Sequence, residues 1–300
     1  MSQELAFGRL IIPLVVPFKR NEDIDFEKLE NLTEVQLDGD YCDALVIGGT
    51  TSEFPALAFE ERGEIIRCVV DKVDKKVPVI AGTGFPSTRE TIELTQRAEE
   101  IGADMAVVIV PYYQRPSQEG IYEHYKAVAE STSLPIMLYN MPFFTGVNIE
   151  PSTFKRLAQI KNIVGIKEEA GLNPLQITQF MNEAPDTFMF YDGDDSMILP
   201  VLVQGAIGAV AGGALVIGRH IKEMMGAFFA GDLKKAISMH HMITPFYKRV
   251  FGLRENPIPM IKEALHQKGI DVGVCRRPLV MADEREKKII NETLTQLKLV

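Results

Sequence analysis

Lys167 closes the run Ile163-Val164-Gly165-Ile166-Lys167, a cation at the end of a segment that otherwise reads as a buried strand. Burial raises the cost of an ammonium group and pushes its pKa down, leaving a free amine that attacks carbonyls. The same lysine could instead snorkel its head group to solvent past the strand end. Tyr139 offers either a phenol for proton transfer or an aromatic core residue with a satisfied hydroxyl. Gly49, Thr50 and Thr51 form either a plain turn or a cradle of N–H groups and hydroxyls for a carboxylate. Asp194 and Asp195 resemble a metal pair, yet no histidine matches them, and a loop or helix N-cap role fits better. Combined, amine, phenol and cradle suit one job. Lys167 would form a Schiff base with the carbonyl of a 2-oxo acid, Tyr139 would shuttle protons, and Gly49, Thr50 and Thr51 would hold the acid's carboxylate.

The elements that must position these groups are readable from hydrophobic periodicity. Eight short apolar runs alternate with amphipathic helical stretches: Leu10–Val16, Asp43–Ile47, Pro78–Ala81, Met105–Val110, Pro135–Tyr139, Ile163–Lys167, Thr187–Tyr191 and Ala206–Ala211. Most lack polar alternation, as expected of parallel strands buried on both faces. Asp25, Ser87 and Ser117 read as N-caps, with Ser87-Thr88-Arg89-Glu90 as a capping box. The pattern predicts a (β/α)8 TIM barrel, which typically takes roughly 250 residues. A doubly wound sheet would more often carry a glycine-rich turn after its first strand, where this chain has Val16-Pro17-Phe18. Residues 1–225 are assigned to the barrel and 226–300 to a helical extension of three helices, the first starting at Asp232 and meeting Pro245. In such a barrel chemistry sits at the C-terminal ends of the strands. Thr50-Thr51, Tyr112-Tyr113, Tyr139-Asn140, Lys167-Glu168-Glu169, Gly193-Asp194-Asp195 and Gly212-Gly213 all fall there.

Composition narrows the function classes. A net charge of −9 argues against nucleic acid or an anionic membrane as the main partner. Cys42, Cys68 and Cys275 are widely spaced and suit a reducing cytoplasm as buried small hydrophobes. The five histidines show no metal-ligand spacing, so no metal is expected. No apolar run has the length of a membrane span, and Met1-Ser2-Gln3-Glu4 lacks the basic start of a signal peptide. A cytoplasmic location is the expectation.

The motifs Gly49-Thr50-Thr51-Ser52-Glu53, Pro111-Tyr112-Tyr113-Gln114-Arg115-Pro116, Tyr139-Asn140-Met141-Pro142-Phe143-Phe144-Thr145-Gly146, Gly165-Ile166-Lys167-Glu168 and Gly193-Asp194-Asp195 occur in one order and spacing. In these the chain resembles the dihydrodipicolinate synthase / N-acetylneuraminate lyase family of class I, pyruvate-dependent aldolases, from the first strand through Asn256-Pro257-Ile258-Pro259. The resemblance implies that Lys167 is the Schiff-base lysine and Tyr139 the general acid/base. Thr50 and Thr51 would bind the carboxylate, with Thr50 also in the proton relay. Tyr113 would reach into a neighbouring subunit's site, and a backbone carbonyl at Val210 would line the pocket. Glu169, Gly193 and Asp194, on the same rim, complete the substrate-binding set with Gly49. A homotetramer built as a dimer of dimers is implied, and no cofactor beyond the covalent imine.

The departures bear on substrate. Dihydrodipicolinate synthases place an arginine where this chain has Phe144, preceded by Phe143, and a phenyl ring cannot make the bidentate contact that recognises a carboxylate. Phe54, Phe59 and Pro86 replace polar family positions, Ala209 a serine of the sialic-acid lyases, and Ser52 a glycine. The expectation is therefore an enzyme that joins or separates pyruvate and an aldehyde without a distal carboxylate, of the 2-keto-3-deoxy sugar acid type. The alternatives are dihydrodipicolinate synthase itself (4-hydroxy-tetrahydrodipicolinate synthase), an imine-dependent dehydratase or deaminase of a hydroxylated acid, and a non-catalytic regulatory protein.

Overall fold

The eight apolar runs become eight parallel strands that pair in sequence order and close on themselves. In this computed structural model, which describes residues 6–169 and 173–300, they are β1 (Leu10–Pro13), β2 (Ala44–Ile47), β3 (Val79–Gly82), β4 (Met105–Ile109), β5 (Ile136–Asn140), β6 (Ile163–Glu168), β7 (Met189–Asp192) and β8 (Gly208–Val210). The Met1–Glu4 stretch read for a targeting signal lies outside the described residues. Each expected run holds most of its strand, and β3, β5, β6 and β7 extend one residue past the run's end. The first stops early because Pro13 has no N–H to extend the ladder, although Leu14 N still donates to Val46 O at 2.8 Å.

The helices that follow the strands are α1 (Phe26–Asp38), α2 (Phe59–Val73), α3 (Thr88–Ile101), α4 (Gln118–Glu130), α5 (Pro142–Thr145), α6 (Pro151–Leu157), α7 (Gln176–Met181), α8 (Ile198–Gln204) and α9 (Ala214–Phe229). Asp25, Ser87 and Ser117 cap α1, α3 and α4 by accepting from backbone N–H groups three residues on. The box expected at α3 is half formed, with Ser87 bonded to Glu90 N but no return bond from the Glu90 side chain. The boundary drawn at 225 falls inside α9, an apolar helix kinked at Ile217 that belongs to the barrel layer. Beyond it lie α10 (Leu233–Arg249), α11 (Ile258–Gln267) and α12 (Glu284–Gln296). α10 runs through Pro245 to Arg249 instead of ending there, held by Phe246 and Tyr247, which are buried against the barrel.

Two apolar cores result. One fills the barrel interior with Ile11, Val46, Ile80, Val107, Met137, Met189 and their neighbours; the other lies between strands and helices. Alternation assigns residues to one or the other, and β6 breaks it. Ile136 of β5 pairs with Ile163, but Met137 pairs with Gly165, so Val164 is skipped. Because side chains alternate with period two, this one-residue irregularity reverses which later residues of β6 face inward. Ile166 joins the outer core and Lys167 turns into the barrel. Gly165 permits it: a Cβ there would lie 2.9 Å from Met189 O and 3.1 Å from Met189 Cβ.

The extension is tied to the barrel by one buried ion pair. Lys262 of α11, fully buried, donates to Glu53 at 2.5 Å, to Val16 O at 2.8 Å and to Val274 O at 2.7 Å. Glu53 also accepts from Arg276 N at 2.9 Å, so the Arg276-Arg277-Pro278 loop is held by the same carboxylate. Removing one partner of such a pair leaves the other charge uncompensated. Lys262→Met is expected to cost about 3–5 kcal/mol of stability, and Lys262→Met with Glu53→Gln distinctly less. Urea unfolding of the two variants checks this; equal losses would count against the pair.

Candidate active site

Tyr139 of β5, Lys167 of β6 and Tyr191 of β7 are register partners across three adjacent strands, and Tyr139 and Lys167 point into the barrel mouth. The Lys167 amine lies 4.1 Å from the centroid of the Tyr139 ring. The Tyr139 hydroxyl lies 3.3 Å from Thr50 Oγ1 and 2.8 Å from Met141 Sδ. The amine therefore packs on the Tyr139 ring, whose hydroxyl reaches Thr50, and all three line a cavity of about 480 Å³.

Thr50 and Thr51 sit on a single 3-10 turn (Thr50–Ser52) at the end of β2, and both line the cavity. Ser52, the departure from the family's glycine, fastens this turn. Its hydroxyl accepts from Gly48 N at 2.9 Å and donates to Leu14 O at 2.8 Å. Glu53 follows in the left-handed region (φ 56°), where the Lys262 pair holds it. Gly49 is not on the cavity wall. It lies behind Thr50, around a small void beside the buried Arg62, whose guanidinium donates to the carbonyls of Gly48, Gly82 and Gly84.

On the other side of the amine stands Glu169, 3.7 Å from Lys167 Nζ and largely buried. Gly193, past the end of β7, makes room for both: a Cβ there would lie 2.7 Å from Lys167 Cε and 3.0 Å from Glu169 Oε1. Asp194 caps the turn that follows, accepting from Ser196 N at 3.0 Å and from Ser196 Oγ at 2.7 Å, the N-cap role expected of it. Asp195 instead reaches across to β8 and accepts from Gly212 N at 3.0 Å and Gly213 N at 2.7 Å. Val210 lines the wall, and Phe143 and Phe144, on α5, lean over the mouth with rings 5.1 Å apart. Among the described residues no group of three or more His, Cys, Asp or Glu is arranged to hold a metal ion.

The protonation states differ from the expectation for Lys167. Burial lowers its pKa, but the Tyr139 oxygen and the Glu169 carboxyl favour the ammonium, and the net direction is upward. The resting lysine carries its proton, so imine formation must begin by moving that proton to a neighbour. Tyr139 is held in its phenol form by burial, against the pull of Lys167. Burial also pushes Glu169 up to about 8 and Asp195 up to about 7. Glu168 faces away from the cavity, pushed up to about 7 by burial and bonded by Asn140 Nδ2 at 3.0 Å and Gln176 Nε2 at 2.8 Å. It braces the rim of β5 and β6.

Tyr113 is not brought to the cavity. It is 91% exposed with φ at 67°, projecting from the loop after β4. Residues absent from the sequence-based set complete the wall: Asp195 and Ser196 after β7, and Phe251, Glu255, Pro257, Ile258 and Ile261 from the extension. The Asn256-Pro257-Ile258-Pro259 motif was the signal available for the latter.

An inward lysine beside a phenol and a threonine turn, on the C-terminal rim of a closed (β/α)8 barrel, defines a class of enzyme, the pyruvate-dependent class I aldolases. The chain belongs to the Dihydrodipicolinate synthetase family, whose sequence model matches residues 6–297. It is 43% identical to the 4-hydroxy-tetrahydrodipicolinate synthase of Desulforudis audaxviator, over 98% of this chain and 99% of that one. A dihydrodipicolinate synthase from Bacillus anthracis superposes with a TM-score of 0.92 at 42% identity, covering 96% of this chain and 98% of that one. The chloride-inhibited dihydrodipicolinate synthase of Acinetobacter baumannii, solved in complex with pyruvate, superposes with a TM-score of 0.92 at 34% identity, covering 98% of this chain and all of that one (100%). These relatives reverse the order of the substrate readings: their shared name supports the synthase reading over the 2-keto-3-deoxy sugar acid one.

The tight fit at Gly193 gives a test of the geometry. Gly193→Ala is expected to displace Lys167 Cε or the Glu169 carboxyl and to lower turnover while leaving thermal unfolding close to that of the parent. Parallel rate and melting measurements decide, and an unchanged rate would contradict the placement.

Proposed function

We propose that the chain condenses pyruvate with an aldehyde through an imine on Lys167, and that the reaction is the one its relatives are named for, 4-hydroxy-tetrahydrodipicolinate synthesis from pyruvate and aspartate semialdehyde. The observation that carries the chemistry is the inward amine packed on the ring of Tyr139, whose hydroxyl is bonded to that of Thr50. Pyruvate's carboxylate would meet Thr50 and Thr51 and its carbonyl carbon the amine. The proton removed from Lys167 passes to the Tyr139 side and returns to the carbinolamine hydroxyl as water leaves. An ammonium and a ketone thus give a protonated imine and water, with no net change of charge. A proton lost from the methyl carbon then passes by the Tyr139 and Thr50 hydroxyls to solvent, giving the enamine that attacks the aldehyde.

A second reading rests on one observation. Lys167 is the only cation among the described residues that line the cavity, and the carboxyl groups of its wall are Glu169, Asp194, Asp195 and Glu255. With Phe143 and Phe144 where the family places an arginine, an aldehyde bearing a distal carboxylate lacks an evident partner. A neutral acceptor such as glyceraldehyde would not need one. We also assign the exposed Tyr113 to a contact with a second subunit's site, in a homotetramer.

Borohydride reduction in the presence of pyruvate is expected to add a pyruvate-derived mass at Lys167; an unmodified Lys167 sinks the imine. A coupled assay with aspartate semialdehyde, run beside glyceraldehyde, separates the two acceptors. Turnover of glyceraldehyde alone would overturn the synthase reading and leave the imine standing.

A further inference from the structure

The mechanism above uses one flank of Lys167 and leaves the other unassigned. Tyr139 approaches from β5. Glu169 stands two residues beyond Lys167, just past the end of β6; both side chains line the cavity, and its carboxyl leans toward the end of β7, into the space that Gly193 leaves open. The amine is thus flanked on both sides by a group able to carry a proton. Enamine attack on an aldehyde requires a proton transfer beyond those of imine formation. As the C–C bond forms, the aldehyde oxygen gains an electron pair and must receive a proton. Tyr139 is bonded toward Thr50 and Met141, on the side where the pyruvate carboxylate would sit.

We propose that Glu169 is a catalytic residue that serves as the general acid for the acceptor aldehyde, delivering its proton to the oxygen that becomes the hydroxyl on carbon 4 of the product. This inference rests on the imine at Lys167. The step balances. The enamine's electron pair forms the bond from carbon 3 to carbon 4, the carbonyl π pair takes the Glu169 proton, and the protonated imine and a Glu169 carboxylate result. Lys167 is then displaced from the imine by water, or by the acceptor's own amine where aspartate semialdehyde is the acceptor and the product closes to a ring. The carboxylate recovers a proton from solvent.

The protonation state agrees with the role. Burial holds the Glu169 carboxyl up near 8 in spite of Lys167, and the neighbouring Asp194, Asp195 and Glu168 push the same way. Tyr139 across the amine and Glu255 across the mouth are the other titratable groups that face the cavity. An acid of this kind is present at neutral pH and is lost as pH rises through about 8. It is matched to bond formation. Cleavage would need the ionised form, the minor species at neutral pH.

The test is Glu169→Gln, which keeps the shape of the side chain and removes the acid. Turnover with pyruvate and whichever aldehyde the parent accepts is expected to fall about 10²–10⁴-fold, the usual contribution of a positioned acid. Borohydride trapping of pyruvate on Lys167 is expected to persist, and the fall in kcat expected of the parent as pH rises through about 8 to disappear. Glu169→Asp, which keeps the acid at shorter reach, should recover part of the rate. Turnover of Glu169→Gln at the parental rate overturns the proposal, as does loss of pyruvate trapping in that variant, which would place Glu169 in imine formation instead. Failure of the parent itself to trap pyruvate on Lys167 refutes the imine, a result distinct from either.

Discussion

One skipped residue in β6 decides whether this barrel has a reactive amine. Counting alternation from Ile163, which faces the helices, an unbroken strand would turn Lys167 outward into the apolar layer. Pairing Met137 with Gly165 passes over Val164 and turns Lys167 inward beside Tyr139. The penalty for the alternative is large, because an unpaired ammonium has no place in a layer of leucine, valine and phenylalanine. The register of β5, β6 and β7 and the face presented by Lys167 are consequently one constraint. It depends on Gly165, whose bare Cα lets the β7 backbone pass where any side chain would strike Met189.

The rim of β2 is set by a second constraint that acts at long range. Thr50 and Thr51 lie on a turn whose exit residue, Glu53, adopts a left-handed conformation that a glutamate does not favour by itself. Lys262 comes from a helix more than two hundred residues later in the chain and fixes that carboxylate, while Arg276 N holds its second oxygen. The extension is therefore part of the machinery that shapes the carboxylate cradle. Its residues also form one wall of the mouth, through Glu255, Ile258 and Ile261. The electrostatic consequence is direct: the charge on Lys262 is confined to structure, and Lys167 is left as the cation that faces substrate.

Much of this was legible in the chain. Eight non-alternating apolar runs gave the barrel, and their ends gave Thr50, Thr51, Tyr139, Lys167, Glu169, Gly193 and Val210 as wall residues, because strand polarity in such a barrel fixes which end carries side chains into the mouth. Asp25, Ser87 and Ser117 were readable because capping is decided within a single helical turn. What failed was non-local. Pro245 reads as a stop, but the packing of Phe246 and Tyr247 against the barrel carries α10 past it. Asp195 looks like its neighbour Asp194 in sequence; only the fold shows that one caps a turn and the other ties β7 to β8. Lys167 was expected to lose its proton by burial, and the sign was wrong because the groups that oppose burial come from β5 and from its own strand end.

That sign has a consequence for how the site works. An amine buried alone would be a ready nucleophile that any small carbonyl could reach. An ammonium held between a phenol and a carboxyl reacts only once its proton is relayed, and the relay here runs toward Thr50, where a 2-oxo acid's carboxylate would sit. Binding the anion next to the ammonium also sets an opposite charge beside a buried positive one. Selection for a 2-oxo acid can therefore arise from charge balance as well as from contacts, since a neutral carbonyl would leave the site with its resting charge. The same reasoning makes the far side of the mouth demanding. Asp194 and Glu255 stand there without a lining cation to balance them, and an acceptor with its own carboxylate must be accommodated against that field.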